Sequence, residues 1–252
     1  MTLTQLIAAV RQRADFVNSQ FVTDAELTSY INQSYFELYD LLIQKYGDNY
    51  YVADPAVFAT DGASAQYVLP NGTLSTFTNG RTGATGYVAP AIYKLLGVDL
   101  MLANQSQSYV TIKPFNFSDR NRYAVPNFQS FYGVTNLRYR LNGDYLWLTP
   151  IPAGNQNIQI WYAPRLTQLS AGSDTTDGIS GWTEYIIVDA AIKCLAKEES
   201  DVSVFMAQKQ GLIQRIEAAG ENRDAANPAT VADHQTSDTW MPSGSGSGSG
   251  AY

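Results

Sequence analysis

Residues 137–150 read LRYRLNGDYLWLTP, and this stretch decides the class of fold. Asn142-Gly143 sits between two arms that alternate apolar and polar side chains. That is the strongest short hairpin signal, because both central residues of a type I′ turn need positive φ. On the first arm Leu137, Tyr139 and Leu141 share one side, while Arg138 and Arg140 share the other. The same period of two continues outward and predicts strands at 66–69, 92–102, 109–115, 136–141, 145–150 and 158–165. Residues 71–89, NGTLSTFTNGRTGATGYVA, interrupt them. They are rich in Gly, Thr and Asn and too long for a passive hairpin loop, so they are expected to be mobile or ordered by a partner.

Beyond this β region the period lengthens to that of a helix. Thr2 with Gln5 makes a capping-box pattern, and Leu3, Leu6, Ile7, Val10 and Ala14 share one helical face. Thr23-Asp24-Ala25-Glu26 is a second box, with Phe21 and Val22 placed as a hydrophobic staple. From it Leu27, Tyr30, Ile31, Ser34, Leu38, Leu41, Leu42 and Lys45 recur at helical steps until Gly47. On the other side of the β region, Ser180 or Thr183 can cap a helix carrying Tyr185, Ile186, Val188, Ala191, Ile192 and Leu195. After a break at Glu198-Glu199-Ser200-Asp201, Asp201 can cap another through Val204, Phe205, Leu212, Ile213 and Ile216. Beyond Gly220 the apolar period fades and the chain ends in SGSGSGSG-Ala-Tyr, a composition too polar to offset its own ordering entropy.

The expected architecture is therefore α+β: a helical bundle from N- and C-terminal helices, with an inserted antiparallel β domain and an extended C-terminal tail. The corresponding segments are 1–64 (N-terminal helices), 65–166 (β insertion), 167–220 (C-terminal helices) and 221–252 (tail and Gly/Ser end).

The chemical inventory of the 252 residues is thin. One cysteine, Cys194, and one histidine, His234, exclude an intrachain disulfide framework and a multi-cysteine zinc site. Cys194 lies on an apolar helix, where a small buried hydrophobe is the usual role. No apolar run approaches the roughly 20 residues of a membrane span, and the N-terminus lacks a basic, then apolar, leader pattern. The formal net charge of −7 is uneven. Residues 1–64 hold three basic and eight acidic side chains, residues 65–165 eight and three, and residues 166–252 five and twelve. Acidic flanks around a mildly basic middle argue against tight wrapping of DNA, which needs a dense basic stripe. The alternation of sign suits self-association.

Against this background few constellations carry chemistry. Asp119-Arg120-Asn121-Arg122 reads as a capped turn with paired arginines or as a short helix presenting Arg120 and Arg122 to an anionic partner. Arg138 and Arg140 read as a solvated strand face or as a surface meeting DNA or a partner. NGRTGATG resembles a phosphate-cradling loop but lacks the terminal Gly-Lys-Ser/Thr and a strand–helix junction. The carboxylates Asp99, Asp119 and Asp144 would have to converge in a cleft to hydrolyse a glycan. The 17 Tyr, 10 Phe and 4 Trp are the largest resource, and aromatics of this kind favour interfaces. No catalytic, metal or cofactor set emerges, so the expectation is a non-enzymatic protein without cofactors.

The stretch LIAAVRQRADFVNSQFVTDAELTSYINQSYFELYDLLIQKYGDNYYV, from Leu6, resembles the start of head-to-tail adaptor (connector, head-completion) proteins of tailed bacteriophages. It carries their F-V-T-D-x-E-L segment and a helix ending E-L-Y-D-L-L. The stretch IIVDAAIKCLAKEESDVSVFMAQKQGLIQRIEAAGENRDAANPATVAD is similar to that family's paired C-terminal helices, followed by Arg223, Pro228, Val231 and Asp233. The resemblance covers about residues 1–52 and 182–233. It implies a virion protein at the head–tail interface, assembled in the host cytoplasm. It also implies a ring of usually twelve copies between the portal protein and a tail or nozzle protein, with DNA passing through the lumen without tight binding. Portal binding would fall to the tail, through Arg223, Val231, Asp233, Trp240 and Met241. A tail-associated glycan-binding module around Trp147 and Trp161, or a cell-wall hydrolase, are the alternatives.

Overall fold

The computed structural model describes residues 1–17, 21–46, 52–101, 108–123, 137–176 and 181–221. Two helices open the chain, α1 (Leu3–Arg13) and α2 (Asp24–Tyr46). Both begin with the boxes their sequences encode. The Thr2 hydroxyl accepts the Gln5 N–H while Gln5 returns its side-chain oxygen to the Thr2 N–H. Thr23 and Glu26 exchange the same pair of bonds. Val22 and Leu27 are both fully buried, so the staple uses Val22; Phe21 remains 51% exposed beneath the Lys197 ammonium. Gly47 lies outside the described residues.

Among the described residues ten strands follow: β1 (Ala56–Ala59), β2 (Gln66–Val68), β3 (Phe77–Asn79), β4 (Thr85–Tyr87), β5 (Ile92–Met101), β6 (Tyr109–Thr111), β7 (Lys113–Pro114), β8 (Arg138–Asn142), β9 (Tyr145–Thr149) and β10 (Asn157–Pro164). They form two sheets, in the orders β4-β3-β1-β10-β5-β6 and β2-β9-β8-β7. Every pairing is antiparallel except β7 with β8, a departure from the all-antiparallel expectation. Strand β10 is central to the larger sheet, and Ile158, Ile160 and Tyr162 on it are fully buried. With Val98 and Leu100 of β5 they meet Leu146 and Leu148 of β9, so the two sheets share one core.

Three expectations change here. Residues 71–89 are not a loop awaiting a partner: they contain the β3–β4 hairpin, whose Phe77 is buried in the sheet core. Asn71 and Asn79 each fold their side chains back onto nearby N–H groups, which supplies the turns that composition alone had concealed. The β layer also begins before residue 65, because β1 pairs with both β10 and β3. Finally, the segment expected as one strand at 109–115 divides into β6 and β7, which belong to different sheets.

The short α3 (Arg120–Tyr123) lies between β7 and β8, and after β10 the chain returns to the helices, where α4 (Thr183–Lys197) and α5 (Ser203–Glu221) are the last described elements. Of the two predicted caps of α4, Thr183 is its first helical residue, with Trp182 the cap without a side-chain bond, and Ser180 lies outside the described residues. Asp201 does take the Ser203 N–H at the start of α5. Buried residues of α1, α2, α4 and α5 form one cluster, including Leu6, Val10, Ile31, Leu38, Ala191 and Ile216. Tyr35 and Asn32, absent from the predicted stripe of α2, are buried, whereas Leu41 is only partly buried and Val204 of α5 is 64% exposed.

The layers are joined at α2. Tyr39 and Ile43 pack on Ala163, and the Tyr39 hydroxyl donates to the Pro164 carbonyl. Asn32 donates to the Leu169 carbonyl and accepts the Leu169 N–H, pinning the crossover to the helix. Leu3 N–H donates to Asp174 O and Thr4 N–H to Gly172 O, so α1 is held by the same crossover.

Candidate partner-docking face

The β8–β9 hairpin builds the site. Gly143 has φ +58°, as the Asn-Gly turn requires, and register pairs Arg140 with Trp147 and Arg138 with Thr149. Alternation then divides the sheet into two faces. Leu146, Leu148 and Tyr139 turn toward the shared core, while Arg138, Arg140, Tyr145 and Trp147 occupy the other face. Across β9, Gln66 and Val68 extend that outer face by pairing with Trp147 and Tyr145.

A short 3-10 turn (Phe117–Asp119) and α3 (Arg120–Tyr123) lie on this face. Phe115 and Phe117 meet the Trp147 ring edge-to-face, at centroid separations of 5.4 and 6.1 Å. The Arg120 guanidinium lies 4.5 Å from the Phe117 centroid, and that of Arg140 lies 5.5 Å from it. Arg120 also donates to the Phe117 carbonyl at 3.1 Å. Phe117 is therefore a ring shared by two cations, and it is 51% exposed. Beside it a cleft of about 350 Å³ is lined by Arg120, Asn121, Trp147, Pro150 and Ile151.

The sequence brought Arg120, Arg122, Arg138 and Arg140 to attention separately. Folding gathers Arg120 and Arg140 about one ring; Arg122 is exposed on α3, and Arg138 is half-buried on β8. Arg120 and Arg140 are not paired with carboxylates, so the paired-arginine reading of the 119–122 turn fails for Arg120 among the described residues. Phe117 was missed. The Phe-x-Phe pattern at 115–117 was the available signal, but nothing local shows which ring two distant arginines will share. The tail candidates Arg223, Val231, Asp233, Trp240 and Met241 lie outside the described residues, as does His234.

Other candidate chemistry disperses. Asp99 accepts the Trp161 indole N–H at 2.7 Å in the six-stranded sheet, whereas Asp144 sits at the hairpin turn of the other sheet. The Asn79–Gly86 stretch spends its amides on its own turn, and Arg81 there pairs with Asp54 at 2.9 Å. Cys194 is fully buried, and burial pushes its thiol up to about 11. Among the described residues no group of three His, Cys, Asp or Glu is placed to hold a metal, and no helix is long and apolar enough to cross a membrane.

The model of the family described as SU10 adaptor protein matches residues 1–232. The chain belongs to the SU10 adaptor protein family. The match to this phage adaptor family takes in the β layer as well as both helix pairs. Arg223 and Val231 lie inside it, and Asp233, Trp240 and Met241 lie beyond it. No curated protein matches the chain.

Proposed function

We propose that this adaptor is a non-enzymatic structural subunit of the virion, forming a ring, of twelve copies by family resemblance, between portal protein and tail or nozzle protein. In this reading it completes the packaged head and leaves DNA a passage that it does not grip, needs no cofactor, and joins particles in the host cytoplasm. The observation that carries the reading is the family match along residues 1–232, which includes the helices, the β layer and the first part of the arm after α5.

The physical chemistry supports it. A net charge of −7 disfavours retention of polyphosphate, because binding of DNA is driven by release of counterions from neutralised phosphates. The arm from Glu221 onward is polar, and a segment of that composition wraps a partner surface once its ordering is offset by contacts. Copies in a ring would multiply a weak single-arm affinity through effective concentration.

The test is reconstitution. Purified adaptor mixed with portal rings should decorate them, and electron microscopy should show a closed ring on the tail-side face. Persistently monomeric adaptor, with bare portals at saturating concentration, would remove the proposal.

A further inference from the structure

We propose that the outer face of the four-stranded sheet, centred on Phe117, Arg120, Arg140 and Trp147, is a docking surface for an acidic polypeptide segment that also carries an apolar side chain. The inference goes beyond the ring reading and does not rest on it.

Charge is the first argument. Elsewhere in the described body most cations have carboxylate partners within 4 Å: Arg11 with Asp24, Arg13 with Glu184, Lys45 with Glu217, Arg81 with Asp54. Lys193, Lys197 and Lys209 are paired too. Arg120, Arg122 and Arg140 have no such partner among the described residues, although the chain carries 23 acidic side chains. These three guanidiniums thus lie in the one segment with a basic surplus.

Geometry is the second. Two guanidiniums rest against the Phe117 ring, which limits their motion. Such an arrangement favours two-pronged binding of carboxylates. Arg, Tyr and Trp are also the residues on which binding energy concentrates, and all three occur on this face with Tyr145 and Phe117 exposed.

The cleft selects between acidic partners. Its Trp147, Pro150 and Ile151 walls, with Ile151 56% exposed, suit an apolar side chain flanked by carboxylates. Duplex DNA offers phosphates but no such side chain, and the net −7 of the chain opposes a long polyanion more than a short peptide.

Fluorescence anisotropy with the full chain tests this. The probe is a fluorescein-labelled peptide of alternating glutamate and glycine with one central phenylalanine; its comparators are the same peptide with glutamine for glutamate, and single-stranded oligothymidine. The acidic peptide should bind saturably and more weakly in high salt, and the glutamine peptide should not bind. Arg120→Gln with Arg140→Gln should weaken binding by about tenfold or more, roughly one lost charge-assisted interaction. Arg140→Lys, which keeps charge and fold but loses the planar fork, should weaken it less. Arg81→Gln, at a cation already paired with Asp54, should leave affinity unchanged. No binding by the wild-type chain, equal binding by the double variant with native circular dichroism, or tighter binding of oligothymidine than of the acidic peptide would each overturn the proposal. Portal decoration by the same variants reads the ring proposal separately.

Discussion

Asn32 shows how one polar side chain sets the relation of two layers. It is 2% exposed, and its amide bridges the Leu169 N–H and C=O at 2.8 and 2.9 Å. Asn32→Ala strands both backbone groups in a buried site, and each unsatisfied group costs about 1–3 kcal/mol. We expect a loss of about 2–5 kcal/mol in urea denaturation, with the crossover after β10 exchanging its amide hydrogens faster. Glu26 gives a second prediction. Hydrogen bonds from Lys197 and from Thr23 hold its carboxyl down to about 2, against an ordinary 4.5. A lowered pKa stabilises the fold above the ordinary value, and that contribution is lost as pH falls from 4.5 toward 2. Glu26→Gln should therefore flatten the pH dependence of the denaturation midpoint across that acid window, leaving the remaining carboxylates to account for what persists. An unaltered slope would show that the Lys197 contact is not held in solution.

At the scale of elements, a charge cluster joins α5 to α4 and α2 beside its apolar face. Asp189 on α4 is 2% exposed and lies 2.6 Å from Lys209 Nζ and 2.7 Å from Lys193 Nζ, while Glu37 on α2 reaches both lysines. Burial pushes the Asp189 carboxyl up, but hydrogen bonds from Lys193, Lys209 and Ser34 outweigh it and hold the group below its ordinary value. Removing one partner of such a set leaves buried charge uncompensated. Asp189→Ala should destabilise by about 3–5 kcal/mol, read from chemical denaturation, with α5 losing hydrogen-exchange protection first. The β8–β9 hairpin offers the contrasting case. A Cβ at Gly143 would meet nothing within 4 Å, so Gly143→Val acts through positive φ alone. The cost should be about 1–3 kcal/mol, with the helical circular dichroism of the native state retained. Concurrent loss of helix at rest would mean that the hairpin supports the helical layer directly.

For the whole molecule, the ring proposal divides labour between the described body and residues beyond it. Deleting residues 221–252 should leave the thermal transition of the body nearly unchanged, because among the described residues the shared clusters reach no further than Ile216. The same deletion should abolish attachment to DNA-filled heads, measured as adaptor retained on particles after sedimentation. Truncated protein that still occupied portals at the wild-type level would transfer docking to the body.

The helices, the Asn142-Gly143 hairpin and the acid–base zoning of the chain were legible in the sequence because capping boxes, turn residues and hydrophobic periods are local: each is decided by neighbours a few positions away. The family resemblance followed from the same helical stretches. The β3–β4 hairpin was not legible, since its strands are three residues each and acquire their order from pairing with β1, some twenty positions upstream. Nor was the sharing of Phe117 by Arg120 and Arg140, or the burial of Asn32 under Leu169. Those contacts join residues whose separation along the chain carries no periodic signal. Only packing two sheets on one core and fastening them to α2 brings them together, because the position of each is set by long-range burial rather than by local preference.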